Sequence, residues 1–440
     1  MIFCSKKWNG ILHLTCAIMI SMIQNNILWS PLQIGGLTSK NRFAVLPMEC
    51  ADAAEGGHLS QDMQMRYDRY AEGGAGLVFL EAVTLQHETR SRDRQLLLDV
   101  YKKESREEWE RFVASFKAKH PNTLLIFQYH HAGETAGKEF SRRVTVKPLE
   151  PFGGELIDAW YIDDYIHRQV ETAKFLYRIG VDGIDLKFCH GYLGSQLLRP
   201  YNDRDWKYGG SWENRSRFAF ETCERIRRAV PDPKFLIGAR VSMYEEMPGG
   251  QGHAGADSFC YDLSESIALL QGLEARGCSY FGETIGNASV YWENMAPSPS
   301  CSTNVYQHLT MAKTMKEVVQ PQTVIIGAGM SVLGDGTHNQ LRGVQPERTS
   351  LLHVAEDALQ NGVMDMVGLG RQALADPYLP CKVQSEQASD VQWCLTCNLC
   401  SELEMRGKPI GCAVYNKYFT DLLKECRSEF GAPSRIVTGD

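Results

Sequence analysis

The chain has 440 residues, of which 43% are hydrophobic and 22% charged, and its formal net charge is −7 at pH 7. This length suits one large α/β barrel with extensions or two ordinary domains, and the balance is that of a globular chain with a sizeable core. The acidic excess argues against nucleic acid as a partner, and 14 cysteines in so long a chain are too dilute for a small secreted disulfide scaffold, so a reducing cytoplasm is the expected compartment.

At the N-terminus, Lys6 and Lys7 precede a mostly apolar run from Ile11 to Ile23. The run has the outline of a secretion signal, but it is too short to span a bilayer comfortably and no small-x-small cleavage site follows it. It also contains Met19 and Met22, either of which would serve as an alternative start. Residues 1–30 are therefore read as an N-terminal extension, with no membrane association expected.

From Leu32 onward, short apolar or β-branched runs ending in polar or glycine residues alternate with amphipathic stretches. The alternation predicts repeated βα units around a parallel sheet. Eight strands are expected: Phe43 to Met48, Leu77 to Glu81, Leu124 to Gln128, Gly183 to Lys187, Leu236 to Arg240, Tyr280 to Gly282, Val324 to Gly327 and Asp365 to Gly368. Helices are expected between them, for example Glu107 to Lys119, Asn214 to Val230 and Ser264 to Arg276, where apolar residues recur at three and four. Eight such units close into a (β/α)8 TIM barrel over residues 31–385, with its chemistry at the C-terminal ends of the strands.

Residues 386–440 read as an appended segment that carries a cysteine pattern. The run Trp-Cys-Leu-Thr-Cys-Asn-Leu-Cys from Trp393 sets Cys394, Cys397 and Cys400 at two-residue gaps, and Cys412 follows. Three thiolates so spaced converge from one loop onto a single inorganic centre, which Cys412 closes as a fourth ligand, the pattern of a 4Fe-4S cluster. A Cys-x-x-Cys pair holding structural zinc is the alternative, and with it a barrel that is a binding module and no enzyme. The glycines at 327, 329 and 370, with Arg371, suit a dianion such as a phosphate, which backbone N–H groups approach closely and a guanidinium grips as a fork. They would equally serve to turn the chain.

Several stretches stand in order along the barrel: Asn-Arg-Phe-Ala-Val-Leu-Pro-Met from Asn41, Gln-Tyr-His-His-Ala-Gly from Gln128, Cys-His-Gly-Tyr-Leu from Cys189, Tyr-Gly-Gly-Ser-Trp-Glu-Asn-Arg from Tyr208, and Gly-Leu-Gly-Arg-Gln-Ala-Leu-Ala-Asp-Pro from Gly368. With the cysteine run behind them, the chain resembles the old yellow enzyme family of FMN-dependent oxidoreductases from about Leu32 to Cys412. Within that family it is similar to the cluster-bearing branch that includes 2,4-dienoyl-CoA reductase and trimethylamine dehydrogenase. The resemblance implies FMN as cofactor, with Gln128 at the pyrimidine edge, Arg240 near N1 and the C2 carbonyl, Pro47, Met48 and Ala82 lining the ring, and Gly327, Gly329, Gly370 and Arg371 at the phosphate. It implies a substrate-oxygen clamp at positions 187 and 190 and a proton donor at Tyr192, for a small-molecule unsaturated substrate.

This sequence departs from those relatives at four places. Lys187, paired with His190, stands where a histidine is usual, and a full positive charge favours a carboxylate or enolate-like oxygen; pairing of Lys187 with Asp185 or Glu49 is the structural alternative. Glu49 stands beside the flavin where relatives have threonine or cysteine, and Cys50 falls one residue late for a covalent flavin bond. In Thr284-Ile285-Gly286-Asn287, Asn287 replaces the aspartate that trimethylamine dehydrogenase uses as a base, which argues for reduction over amine oxidation. The gap between Cys397 and Cys400 is one residue shorter than in most relatives. The expected reaction is reduction of a C=C bond conjugated to a carbonyl or carboxylate, with an amine-type dehydrogenase as the alternative. No glycine-rich nucleotide fingerprint follows Cys412, so electrons are expected from a separate donor protein or from NAD(P)H reacting at the flavin; the oligomeric state is left open.

Overall fold

A computed structural model describes residues 26–288, 290, 292–337 and 345–430. The apolar run Ile11 to Ile23 and the last ten residues lie outside the described residues. Eight parallel strands close into a barrel: β1 (Phe43–Val45), β2 (Leu77–Thr84), β3 (Leu124–His130), β4 (Gly183–Phe188), β5 (Leu236–Ser242), β6 (Tyr280–Thr284), β7 (Val324–Gly327) and β8 (Met366–Leu369). After each comes one principal helix: α1 (Gln61–Glu72), α2 (Lys103–Lys119), α3 (Ala159–Arg178), α4 (Arg217–Ala229), α5 (Ser264–Glu274), α6 (Asn304–Val318), α7 (Leu351–Gln360) and α8 (Leu379–Gln384). Two more, α9 (Leu399–Met405) and α10 (Lys417–Phe430), belong to the cysteine segment. Among the described residues no helix is long and apolar enough to cross a membrane.

All eight expected strands are present, and the differences are local. β1 stops at Val45 because Pro47 has no N–H to give the ladder, although the Leu46 N–H still bonds the Leu369 carbonyl. β2 runs on to Thr84 through a register shift between Leu80 and Val83, a bulge of the kind that re-aims side chains at a barrel rim. The helix expected from Asn214 to Val230 is broken at Ser216, whose hydroxyl donates to the Trp212 carbonyl four residues back and bends the chain between Trp212–Arg215 and α4.

The barrel interior is layered. Ala44, Leu77, Phe79, Leu124, Ile126, Leu236, Val324, Ile326 and Met366 pack together inside it. A hairpin, Leu32–Ile34 with Leu37–Ser39, brings Ile34 into the same cluster, and the Gly36 N–H bonds the Pro233 carbonyl. Tyr280 crosses the interior and donates to the Ile184 carbonyl, and it has room because position 238 is glycine: a Cβ there would lie 2.1 Å from the phenol ring. Nearer the C-terminal ends the inward residues turn polar. Gln128 donates to Asp185 at 2.7 Å, and burial pushes the Asp185 carboxyl up to about 6, against the Gln128 hydrogen bond and the Arg240 charge.

Two predictions follow from this layering. Gly238→Ala overpacks the Tyr280 ring and should destabilise the protein by about 1–3 kcal/mol, read as a lowered urea midpoint. For Asp185, the native carboxyl keeps its proton to about 6 while the ordinary value is 3.8. Below 3.8 the native state therefore has the full benefit, and stability is lost as pH rises towards about 6. Urea midpoints of the flavin-free protein at the two ends of this window should show that loss, and Asp185→Asn should abolish it.

Candidate active site

At the C-terminal mouth of the barrel one cavity collects residues from six strand ends. It is lined by Leu46, Pro47 and Met48 after β1, Gln128 on β3, Lys187 and His190 from β4, Arg240 on β5, Ala328, Gly329 and Ser331 after β7, and Gly370 and Arg371 after β8. The segment after β6 adds Trp292, Met295 and Ala296, which sequence reasoning did not single out because that stretch carries no periodic signal. The other expected residues lie elsewhere. Ala82 is buried in β2 with its carbonyl bonded to Gln95, Gly327 is backed by Met364 Sδ, and Glu49 and Tyr192 flank Lys187. A larger cavity of about 610 Å³ lies between α1, the segment after β8 and residues 409–419, and gathers none of the candidate groups.

Two features of the mouth suit a flavin mononucleotide. Arg240 is 8% exposed and, among the described residues, its guanidinium has no hydrogen-bonded partner, so a buried cation is held facing the cavity with its donors unspent. At the other end Gly329 has φ +78°, a left-handed conformation that favours glycine, and a Cβ on Gly370 would meet only Met48 Sδ, at 3.4 Å. Arg371 completes this end, bonded to Asn398 Oδ1 at 2.6 Å and to the Pro297 carbonyl at 2.5 Å.

Beside that cavity is a compact polar group. Lys187 Nζ lies 3.0 Å from His130 Nδ1, 3.9 Å from Glu49 Oε2 and 4.0 Å from the centre of the Tyr192 ring. His130 Nε2 is 2.8 Å from Ser91 Oγ. Burial holds the His130 imidazole well below its ordinary range, reinforced by the Lys187 charge, so it is neutral and accepts from Lys187 through Nδ1. Burial also lowers Lys187, opposed by Glu49, and raises the Tyr192 phenol well above its ordinary value, with Glu49 adding to the shift. Glu49 meets Arg92 at 3.3 Å, and Arg92 pairs in turn with Glu404 on α9. The anticipated Lys187–Glu49 contact thus exists, but at a length that leaves the ammonium N–H groups available. His190 Nε2 lies 2.9 Å from Thr284 Oγ1, and its imidazole is depressed by burial and then by Arg240.

The four cysteines of the terminal segment line one small cavity together with Arg371 and Asn398. Their loop is bent by left-handed backbone at Thr396 and Asn398, costly for a β-branched residue and typical of sites with a ligand-holding duty. Among the described residues no three His, Cys, Asp or Glu side chains gather closely enough to share one metal ion. Arg371 lines both this cavity and the mouth cavity, so it is a wall common to the two.

Comparison with known proteins agrees with the barrel fold. Residues 27–390 match the NADH:flavin oxidoreductase / NADH oxidase family. The chain is 28% identical over 393 residues to an NADH oxidase of Thermoanaerobacter brockii, covering 84% of this chain and 53% of that protein. It is 28% identical over 417 residues to a dimethylamine dehydrogenase of a Hyphomicrobium species, covering 88% of this chain and 50% of that one. The chain thus spans about half the length of these curated relatives. Among solved structures, a 2-naphthoyl-CoA reductase superposes with a TM-score of 0.73 at 21% identity, over 90% of this chain and 58% of that one, and shares the fold. The chain belongs to the NADH:flavin oxidoreductase / NADH oxidase family of FMN-dependent oxidoreductases.

Proposed function

We propose that this protein reduces an activated carbon–carbon double bond conjugated to a carbonyl or carboxylate. The observation that carries the reading is the buried Lys187 ammonium beside the mouth cavity, stacked on Tyr192 and only loosely compensated by Glu49. FMN, when bound, supplies hydride transfer and accepts electrons one at a time. Gln128 and Arg240 would hold its ring, with Pro47 and Met48 against it, and Gly329, Gly370 and Arg371 would hold its phosphate; Glu49 would stand beside the site, next to Lys187.

The remaining chemistry is assigned to side chains. Lys187 has donors left after the His130 contact, and His190 stands on the same strand end; together they would orient the substrate oxygen and stabilise negative charge on it. Tyr192 keeps its proton at neutral pH because burial holds it above its ordinary range, the state required of a donor to the substrate α-carbon. Electrons would reach the site from NAD(P)H, which the NADH oxidase relative supports, or from a separate donor protein through a 4Fe-4S cluster on Cys394, Cys397, Cys400 and Cys412. The four cysteines line one small cavity together, which supports their holding a single inorganic centre. The second reading is an amine dehydrogenase, supported by the dimethylamine dehydrogenase relative; the neutral Asn287, whose amide is bonded to Glu245 at 3.1 Å, weighs against it.

The deciding experiment is anaerobic. The chemically reduced protein, freed of excess reductant, should be reoxidised rapidly by unsaturated acids or other conjugated carbonyl compounds, followed by flavin absorbance. Bleaching of the oxidised protein by amines, with no reoxidation by any unsaturated compound, would establish the dehydrogenase instead. Tyr192→Phe should slow reoxidation about 100-fold or more with flavin retained, and Lys187→Met should impair acidic substrates far more than neutral enones. Separately, anaerobically purified protein should contain iron and acid-labile sulfide in a 1:1 ratio, lost on replacing any two of the four cysteines by alanine; stoichiometric zinc without sulfide would refute the cluster.

A further inference from the structure

Beneath the mouth cavity lies a buried pair that the chemistry above does not use. Glu283 on β6 and His308 on α6 both have fully buried side chains. His308 Nδ1 is 3.1 Å from each Glu283 carboxylate oxygen, and Nε2 is 2.8 Å from the Asn294 backbone carbonyl. A carbonyl only accepts, so Nε2 carries a proton; the other proton sustains the Nδ1 contact whether it resides on the ring or on the carboxyl. A buried ionisable pair is seldom more stable than well-packed apolar residues of the same volume, so its presence calls for a positional reason.

The surroundings supply one. His308 packs under Gly329, where an added Cβ would lie 2.4 Å from the imidazole Cδ2. Its other nitrogen holds Asn294, in the middle of the segment whose Trp292, Met295 and Ala296 line the cavity. Asn304, four residues earlier on α6 and so on the same face, grips that segment too, donating to the Glu293 carbonyl at 3.3 Å and to Asn294 Oδ1 at 2.9 Å. Arg371 fixes the segment's far end at the Pro297 carbonyl.

We propose that His308, oriented by Glu283, is a positioning residue for the flavin: it sets the Gly329 loop against the 292–297 segment and so shapes the end of the cavity assigned to the phosphate. This rests on reading the cavity as the flavin site. It is tested on the full chain by FMN titration, with far-ultraviolet circular dichroism to verify folding and the ³¹P resonance of bound FMN as a probe of the phosphate environment. His308→Ala should weaken FMN binding at least about tenfold and move or broaden the ³¹P signal. His308→Gln, whose amide N–H reproduces the Nε2 contact, should recover much of the loss, and the isosteric Glu283→Gln should weaken binding several-fold. If His308→Ala does not fold, Glu283→Gln decides. Arg240→Met, on the opposite side of the cavity, separates the two ideas. If Arg240→Met weakens binding while the His308 and Glu283 variants leave affinity and ³¹P signal as in the parent, the positioning role falls and the flavin site stands. If the parent binds no FMN, or Arg240→Met has no effect, the flavin site falls and the positioning role with it.

Discussion

Placing Arg240 and Lys187 at the top of a barrel whose lower layers are apolar sets an electrostatic problem, because a cation taken out of water persists only where something negative or strongly accepting faces it. The protein answers it differently for each residue. Lys187 receives the neutral His130 ring at 3.0 Å and a distant carboxylate, Glu49, at 3.9 Å. Arg240 receives no hydrogen-bonded partner among the described residues, only the charge of Asp185, which burial itself discourages. The mouth is therefore electrostatically incomplete, and an electron-rich ring and an anionic substrate oxygen are the kinds of groups that complete it. The rest of the site follows from keeping these charges dry and aimed: the polar layer of Gln128 and Asp185 below, the glycine loops after β7 and β8 at one side, and the 292–297 segment at another.

Glu49 has to be understood within that balance. Taken alone, a carboxylate beside a flavin would oppose the negative charge that a reduced ring acquires. Here its charge is shared between Lys187 and Arg92, and Arg92 is shared in turn with Glu404 on α9. Glu49 thus acts less as an isolated anion than as the middle of an alternating chain of charges running from Lys187 to Glu404 in the cysteine segment. Such an alternation costs less than its members would singly, since each desolvated charge has a neighbour of opposite sign.

How much of this could be read from residues alone depended on the kind of signal. The eight strands were legible because barrel strands buried on both faces read as short apolar runs ended by polar or glycine residues, and such runs are hard to mistake when eight alternate with helices. The cavity-lining residues at strand ends were legible for the same reason, since the fold dictates where those ends meet. Side chains whose partners lie far off in sequence were not: Arg92 and Glu404 are separated by 312 positions, and no local pattern announces their pairing. His130 was visible within a motif, but its role depends on Lys187 approaching from another strand. The segment containing Trp292 and Met295 has neither helical nor strand period, and its closeness to Gly329 is set by His308 on a helix that looks ordinary in sequence. The break at Ser216 was missed because a serine hydroxyl bonding back four residues leaves the apolar repeat on both sides intact.

The cysteine segment and the barrel are best regarded as one device because Arg371 belongs to both. Its guanidinium bonds Asn398, one of the left-handed residues that shape the thiol loop, and Pro297, the end of the segment lining the mouth. A planar, permanently charged group with five donors in a fixed fork can hold two oxygens and still face a third partner, which a lysine at this position could not do with the same geometry. A shift of the thiol loop at Asn398 would therefore be transmitted to Arg371, and a shift of Arg371 to the loop, since coupling through a shared element is reciprocal. Arg371, lining both the cysteine cavity and the mouth cavity, thus ties the two together mechanically.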